Sequence, residues 1–107
     1  MRGRYYEELA LSYLLSVGYT LLGRNLRTPY GEIDLLLKDG DELVVVEVKG
    51  GRLGLERFDK RKFLKVVRSA YALLDEPFRV DLVVVDKGKV HHFKNVGYEY
   101  GEEELQP

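Results

Sequence analysis

A chain of 107 residues with 45% apolar and 33% charged residues has the size and make-up of one compact domain, and this excludes collagen-like, low-complexity and disordered chains. The absence of cysteine excludes disulfides, thiolate clusters and cysteine nucleophiles, so any metal must be held by oxygen or histidine. The net charge of -1 conceals a local surplus: between Arg52 and Arg68 there are seven basic residues against two acidic ones, offset by an acidic tail at Glu102, Glu103 and Glu104.

From Arg4 to Val17, apolar residues at Tyr6, Leu9, Ala10, Tyr13, Leu14 and Val17 have helical spacing, and Gly18 ends the segment. On that helix Glu7 lies at the edge of the apolar stripe and can face a cleft, whereas Glu8 points to water. Tyr19 to Leu26 reads as a strand, and Thr28-Pro29-Tyr30-Gly31 as a turn. Two β-rich runs, Glu32 to Lys38 and Asp41 to Lys49, flank Asp39-Gly40, a dipeptide suited to a two-residue type I′ hairpin turn. A glycine-rich connection at Gly50, Gly51 and Gly54 follows. Phe63, Val66, Val67, Ala70, Tyr71 and Leu74 then mark one face of a second helix from about Asp59 to Leu74, ended by Pro77. Val80 to Val85 is an apolar strand whose stretch Leu82 to Val85 suits cover on both faces, and Lys87-Gly88 turns the chain into a last strand through His91 and Phe93. No signal-peptide core and no apolar run of membrane-spanning length is present, so the expectation is a single cytoplasmic domain over residues 1–107 with no membrane partner. The order of elements predicts an α/β layer fold with a central mixed sheet flanked by helices.

With Asp39 and Gly40 as the loop, Asp34 pairs with Val45 and Glu32 with Glu47, which puts Asp34, Glu47 and Lys49 on one face with the two acids as diagonal neighbours. Carboxylates crowded in an apolar β region repel one another unless a cation or proton compensates. Mg²⁺ or Mn²⁺ suits such a site: Asp34, Glu47 and a nearby backbone carbonyl, that of Val48, are hard oxygen donors. The ion could activate water and polarise a phosphate, and Lys49 could neutralise charge developing on that phosphate.

An aspartate on one strand followed by Glu47-Val48-Lys49 on the next resembles the bipartite site of the PD-(D/E)XK nuclease superfamily. More narrowly, Glu7-Glu8-Leu9-Ala10, Tyr13-Leu14, Gly18-Tyr19, Arg24-Asn25, Gly31-Glu32-Ile33-Asp34-Leu35 and Glu47-Val48-Lys49 look like the YraN-type family, over Arg4 to about Val85. The resemblance implies an αβββαβ restriction-endonuclease-like core and Mg²⁺ or Mn²⁺ dependence. It also implies a likeness to archaeal Holliday junction resolvases, and with it branched DNA, more than RNA, as substrate and a homodimeric state. It assigns Asp34, Glu47 and Glu7 as metal ligands and Lys49 as the catalytic lysine. Threonine and a basic residue usually follow that lysine in the family, where this chain has Gly50-Gly51-Arg52.

Arg52, Arg57, Lys60, Arg61, Lys62 and Lys65 form the basic cluster expected to hold a nucleic-acid backbone, and Tyr30 is a candidate for stacking on a base. Tyr6, Tyr13 and Tyr71 fall on apolar helix faces and are expected in the core. His91 and His92, adjacent in a strand, face opposite ways and cannot share one ion. The glycine-rich connection lacks the Gly-Lys-Ser/Thr ending of a nucleotide-binding P-loop. Three readings result. The first is a Mg²⁺-dependent endonuclease, the second a non-catalytic nucleic-acid-binding or assembly module that keeps the nuclease fold, and the third a purely structural interaction protein.

Overall fold

The computed structural model describes residues 2–98. The acidic tail expected from about residue 101 lies outside the described residues.

Helix α1 spans Arg2–Ser16 and is followed by strands β1 (Thr20–Thr28), β2 (Gly31–Asp39) and β3 (Glu42–Gly50). A short helix α2 (Gly54–Arg57), helix α3 (Lys60–Leu73), strands β4 (Phe78–Asp86) and β5 (Lys89–Phe93) and a 3₁₀ turn at Val96–Tyr98 complete the described chain. The five strands form one mixed sheet in sequence order, with β3 and β4 parallel and the other pairs antiparallel. The αβββαβ core and its flanking helices are as expected; α2, within the glycine-rich connection, and the residues of β5 extend it.

Local chemistry fixes the element ends. At the end of α1, Gly18 has φ 100°, its N–H donates to the Leu15 carbonyl, and the Tyr19 N–H donates to that of Leu14. This is a Schellman ending, which needs a residue at ease in the left-handed region. Tyr19 and Leu14 then bury together in one core. At the other end of the crossover, the Asp59 side chain accepts the Lys62 N–H at 2.9 Å and caps α3, and that bond holds the Asp59 carboxyl below its ordinary range.

The sheet separates two cores. Helix α3 packs Phe63, Val66, Val67 and Ala70 against Leu36, Val45, Leu82 and Val84, while α1 packs Ala10, Leu11 and Leu14 against Leu37, Val44, Val46, Val83 and Val85. Leu82 to Val85, in contact with both cores, is buried throughout, as its apolar run predicts. Two helix-face assignments need correction. Val17 is exposed and Leu11 takes its place in the core; Tyr71 is 65% exposed, because it lies beyond the edge of the stripe that Phe63, Val67 and Ala70 define. No described helix is long and apolar enough to cross a membrane.

The hairpin register also differs from the reading by turn chemistry. Asp39 pairs with Glu42 and Leu36 with Val45, so the loop is Gly40-Asp41 and the register is shifted by two residues. Gly40 has φ 61° as first loop residue while Asp41 does not, the requirement of a type II′ turn. The type I′ turn is instead at Lys87-Gly88, where both residues have positive φ.

Candidate active site

A two-residue shift preserves which side chains share a face, but the convergence of Asp34 and Glu47 has another cause. The β2–β3 ladder runs only to Leu35–Val46. At Asp34 the alternation of β2 slips: Ile33 and Leu36 join the α3 core, while Leu35 and Leu37 join the α1 core. On the β1 side, between the Arg24–Leu35 and Leu26–Ile33 pairs, Asn25 has φ 50°, a left-handed conformation that asparagine tolerates better than most residues. The sheet therefore opens beside Asp34, whose Oδ2 accepts the backbone N–H of Val48 at 2.8 Å in place of a strand partner. A strand residue presents its N–H and C=O to the same neighbour, so the Val48 carbonyl faces the same opening.

The result is a cleft of about 440 Å³ between the N-terminal parts of α1 and α3, lined by Glu7, Asp34, Glu47, Val48 and Lys49 together with Gly3, Tyr6, Gly50, Arg57 and Lys62. Lys49 Nζ is 3.1 Å from Glu47 Oε2, with only 13% of the Glu47 side chain exposed. Burial, then the charge of Glu47 and a hydrogen bond shared with it, push the Asp34 carboxyl up to about 8, and the Val48 N–H and Lys49 only partly offset this.

Two glycines set the walls. A Cβ on Gly50 would fall 1.9–2.3 Å from ring atoms of Tyr6, so β3 passes α1 in direct contact between backbone and ring. A Cβ on Gly54 would meet Val84 Cγ1 at 2.8 Å and Lys49 Cβ at 3.3 Å, so α2 supports the lysine from behind. The departure from the threonine expected after the lysine therefore has a steric reason in Tyr6.

The remaining sequence candidates divide. Glu7 lines the cleft as expected, but its Oε1 accepts from Asn25 Nδ2 at 3.0 Å. Glu32 does not lie across from Glu47: it pairs with Arg27 of β1, shares the Asn25 amide at 3.2 Å and lies 3.6 Å from Arg27 Nε, because the slip at Asp34 and the two-residue shift take it away from β3. Glu8 is exposed, as expected, and bonded to Arg24. Arg57 and Lys62 reach the cleft, with Lys62 Nζ donating to the Arg57 carbonyl at 2.6 Å. Lys60, Arg61 and Lys65 are exposed on α3. Arg52 lines a different groove with Leu55, Asp86, His91 and Phe93, so it does not join the cleft. Tyr30 is 55% exposed at the β1–β2 turn.

Among the described residues no group of three His, Asp or Glu side chains is close enough to hold a metal ion. The pair Asp34 and Glu47 nevertheless fits a hard divalent cation, which is commonly bound by one or two carboxylates and retained water. The donors are all oxygen, and the burial and the Glu47 charge that together raise the Asp34 carboxyl are what a cation would offset.

Sequence reasoning named Asn25 only within the Arg24-Asn25 motif and missed that its side chain joins Glu7 to Glu32. It also missed a polar network on the α1 side of the sheet. Asp81, fully buried, accepts from Arg79 Nε at 3.0 Å and from the Asn95 N–H at 2.9 Å, and lies 2.7 Å from His92 Nε2. Arg79 also bonds Glu42 and the Tyr19 hydroxyl. The signal was available: a lone acid within the apolar run Val80 to Val85 must be paired. His91 and His92 do face opposite ways, one toward the Arg52 groove and the other onto Asp81.

Residues 6–85 match the model of a family described as uncharacterised protein family UPF0102. A UPF0102 protein of Aquifex aeolicus is 50% identical over 102 residues, covering 92% of this chain and 99% of the relative. One from Fervidobacterium nodosum is 37% identical, over 88% of this chain and 80% of the relative. Another, from Thermotoga maritima, is 43% identical, over 84% and 91% respectively.

Proposed function

The chain belongs to UPF0102, the YraN-type family of PD-(D/E)XK nuclease-like proteins, and from its site we propose that it is a Mg²⁺- or Mn²⁺-dependent endonuclease that hydrolyses phosphodiester bonds of DNA, branched or structured DNA in particular. The observation that carries this reading is the buried acid pair Asp34 and Glu47, only partly compensated by Lys49, in a cleft that Arg57 and Lys62 also line.

Asp34, Glu47 and the Val48 carbonyl would hold the cation, which supplies polarisation of the phosphate and a more acidic water. The chain's own groups do the rest. The Val48 N–H fixes the Asp34 carboxylate by one oxygen and leaves the other for Glu47 and the cation. Glu47 holds the Lys49 ammonium over the cleft, where it can neutralise charge that grows on the phosphate or orient the attacking water. Arg57 and Lys62 supply positive charge at the cleft, and the exposed Lys60, Arg61 and Lys65 track the backbone without reading bases. Glu7, held through Asn25, positions the α1 side of the cleft.

The test is a metal-dependent cleavage screen over branched, single-stranded and duplex DNA. Cleavage is expected with Mn²⁺ or Mg²⁺, and Glu47→Ala or Lys49→Ala should abolish it while the thermal transition remains. Cutting that survives in both variants sinks the assignment.

A second reading, a nucleic-acid-binding or assembly module that keeps the fold, is favoured by one observation: among the described residues no third carboxylate converges on Asp34 and Glu47, and Glu7 is engaged by Asn25. Metal titration separates the two. Such a module shows salt-dependent DNA affinity but no Mn²⁺ uptake that depends on Asp34 and Glu47.

A further inference from the structure

Helix α3 carries no acidic residue from Lys60 to Leu73, and Arg61, Lys65, Arg68 and Ala72 recur on it at intervals of four, three and four residues. That spacing confines the four to one narrow stripe of the helix surface. All four are exposed. The stripe starts one residue from Lys62 of the cleft and ends at a separate groove of about 400 Å³ lined by Tyr30, Arg68, Tyr71 and Ala72.

This groove is built, because its two aromatic side chains come from different elements that are pinned together. Thr28 Oγ1 donates to the Gly31 carbonyl at 2.9 Å and accepts the N–H groups of Tyr30 and Gly31, each at 3.1 Å. The same hydroxyl lies 2.9 Å from Oγ of Ser69, a fully buried residue of α3. The β1–β2 turn is thereby fastened to the helix, and Tyr30 is held beside Arg68. On the helix side the Tyr71 ring rests edge-on against Phe78 with centroids 5.1 Å apart, while the residue itself remains 65% exposed. Ala72, one turn beyond Arg68, adds only a methyl group and leaves the groove open.

Two exposed aromatic rings and a guanidinium on an otherwise basic path are the components of a stacking site for nucleobases, which offer a π-face whatever their identity. Bases in an intact duplex are stacked on each other and hide that face. We infer that the Tyr30–Arg68–Tyr71 groove binds an unpaired nucleobase of the nucleic acid whose backbone runs along the Arg61–Lys65–Arg68 stripe toward the Asp34–Glu47 cleft. Lys62 and Tyr71 are separated by about 14 Å along the helix axis, so the unpaired base lies about four nucleotides from the cleft at stacked spacing. The inference deepens the nuclease reading by naming the substrate feature: DNA with a frayed, looped or single-stranded part beside the scissile bond.

The test uses the full chain in EDTA, which removes cleavage from the measurement. Fluorescence anisotropy reads the affinity for a labelled single strand and for the blunt duplex of the same sequence. Tyr30→Ala and Tyr71→Ala should each weaken single-strand binding by about 5- to 150-fold, the equivalent of 1–3 kcal/mol per stacked base, with duplex binding changed less than about twofold. Tyr71→Phe, which keeps the ring, should bind as the parent does. Tyr30 lies on an exposed turn, so its variant guards against a loss caused by misfolding at Tyr71. Equal losses on both DNA forms, unchanged single-strand affinity, or a parent chain that binds neither form would each overturn the groove. Mn²⁺ uptake by Asp34 and Glu47, read by calorimetry without DNA, reports on the nuclease reading separately, so either can fail alone.

Discussion

Two aspartates on the same sheet were given opposite surroundings. Asp81 is fully buried, and burial alone would raise its carboxyl, but hydrogen bonds from His92, Arg79 and the Asn95 amide outweigh that and hold it below its ordinary value. Asp34 is also largely buried, and its carboxyl is pushed up to about 8 by that burial, then by the charge of Glu47 and a hydrogen bond shared with it, with one N–H and Lys49 to set against them. The fold thus compensates one buried charge and leaves the other in conflict with its neighbour. The contrast separates roles: an acid with charged and N–H donors ties β4 to β5 and, through Arg79, to Tyr19, whereas an acid pair only partly offset at the mouth of a cleft is poised for a ligand that brings positive charge.

The largest effect expected from this contrast is at Asp81. Asp81→Ala removes the shared acceptor of the Arg79 guanidinium, His92 and the Asn95 N–H, while Arg79 keeps Glu42 and the Tyr19 hydroxyl, and should cost about 3 kcal/mol in urea unfolding; a loss below about 1 kcal/mol would remove the distinction. Next comes the cation. At a hundredfold excess over its dissociation constant, Mn²⁺ should stabilise the chain by about 2.7 kcal/mol. In thermal melts this is a rise of about 10 °C or more for a domain of this size. EDTA should reverse the rise, and Asp34→Asn and Glu47→Gln should show none of it.

The remaining effect is on pH dependence, and its signs are opposite for the two acids. The folded chain holds the Asp34 proton more tightly than the unfolded chain, so without metal stability should fall as pH rises from 3.8 to about 8. Asp34→Asn keeps an acceptor for the Val48 N–H and removes the conflict; it should flatten that decline and gain about 1–3 kcal/mol at pH 9. The Asp81 contribution is complete above 3.8 and is lost as pH falls through its lowered folded value. Urea unfolding across pH 3 to 9 measures both slopes, and a parent chain equally stable at pH 5 and pH 9 would contradict the assignment for Asp34.

Much of the fold was legible because local signals agreed. The helical stripes of α1 and α3, the apolar run of β4 and the Lys87-Gly88 turn each point to the element observed. Asp34, Glu47 and Lys49 were legible as a constellation, since a shift of two residues preserves strand parity. What brings them together was not. The slip at Asp34 and the left-handed Asn25 are backbone departures paid for by long-range contacts, which pleat geometry does not anticipate. Tyr71 was misjudged because one residue of helical phase separates its exposed position from the buried Ala70. The Arg79–Asp81–His92 network eluded a reading that followed apolar periodicity and passed over the acid within it.

The contact between Gly50 and Tyr6 carries an evolutionary consequence. The residue after Lys49 and an aromatic ring 44 positions earlier compete for one volume, so the two sites cannot drift independently. A relative that carries threonine after its lysine has to surrender the ring, or move its first helix away from the strand. The two substitutions should therefore travel as a pair, and introducing either one alone into this chain would set the cleft wall against the helix that bears Glu7.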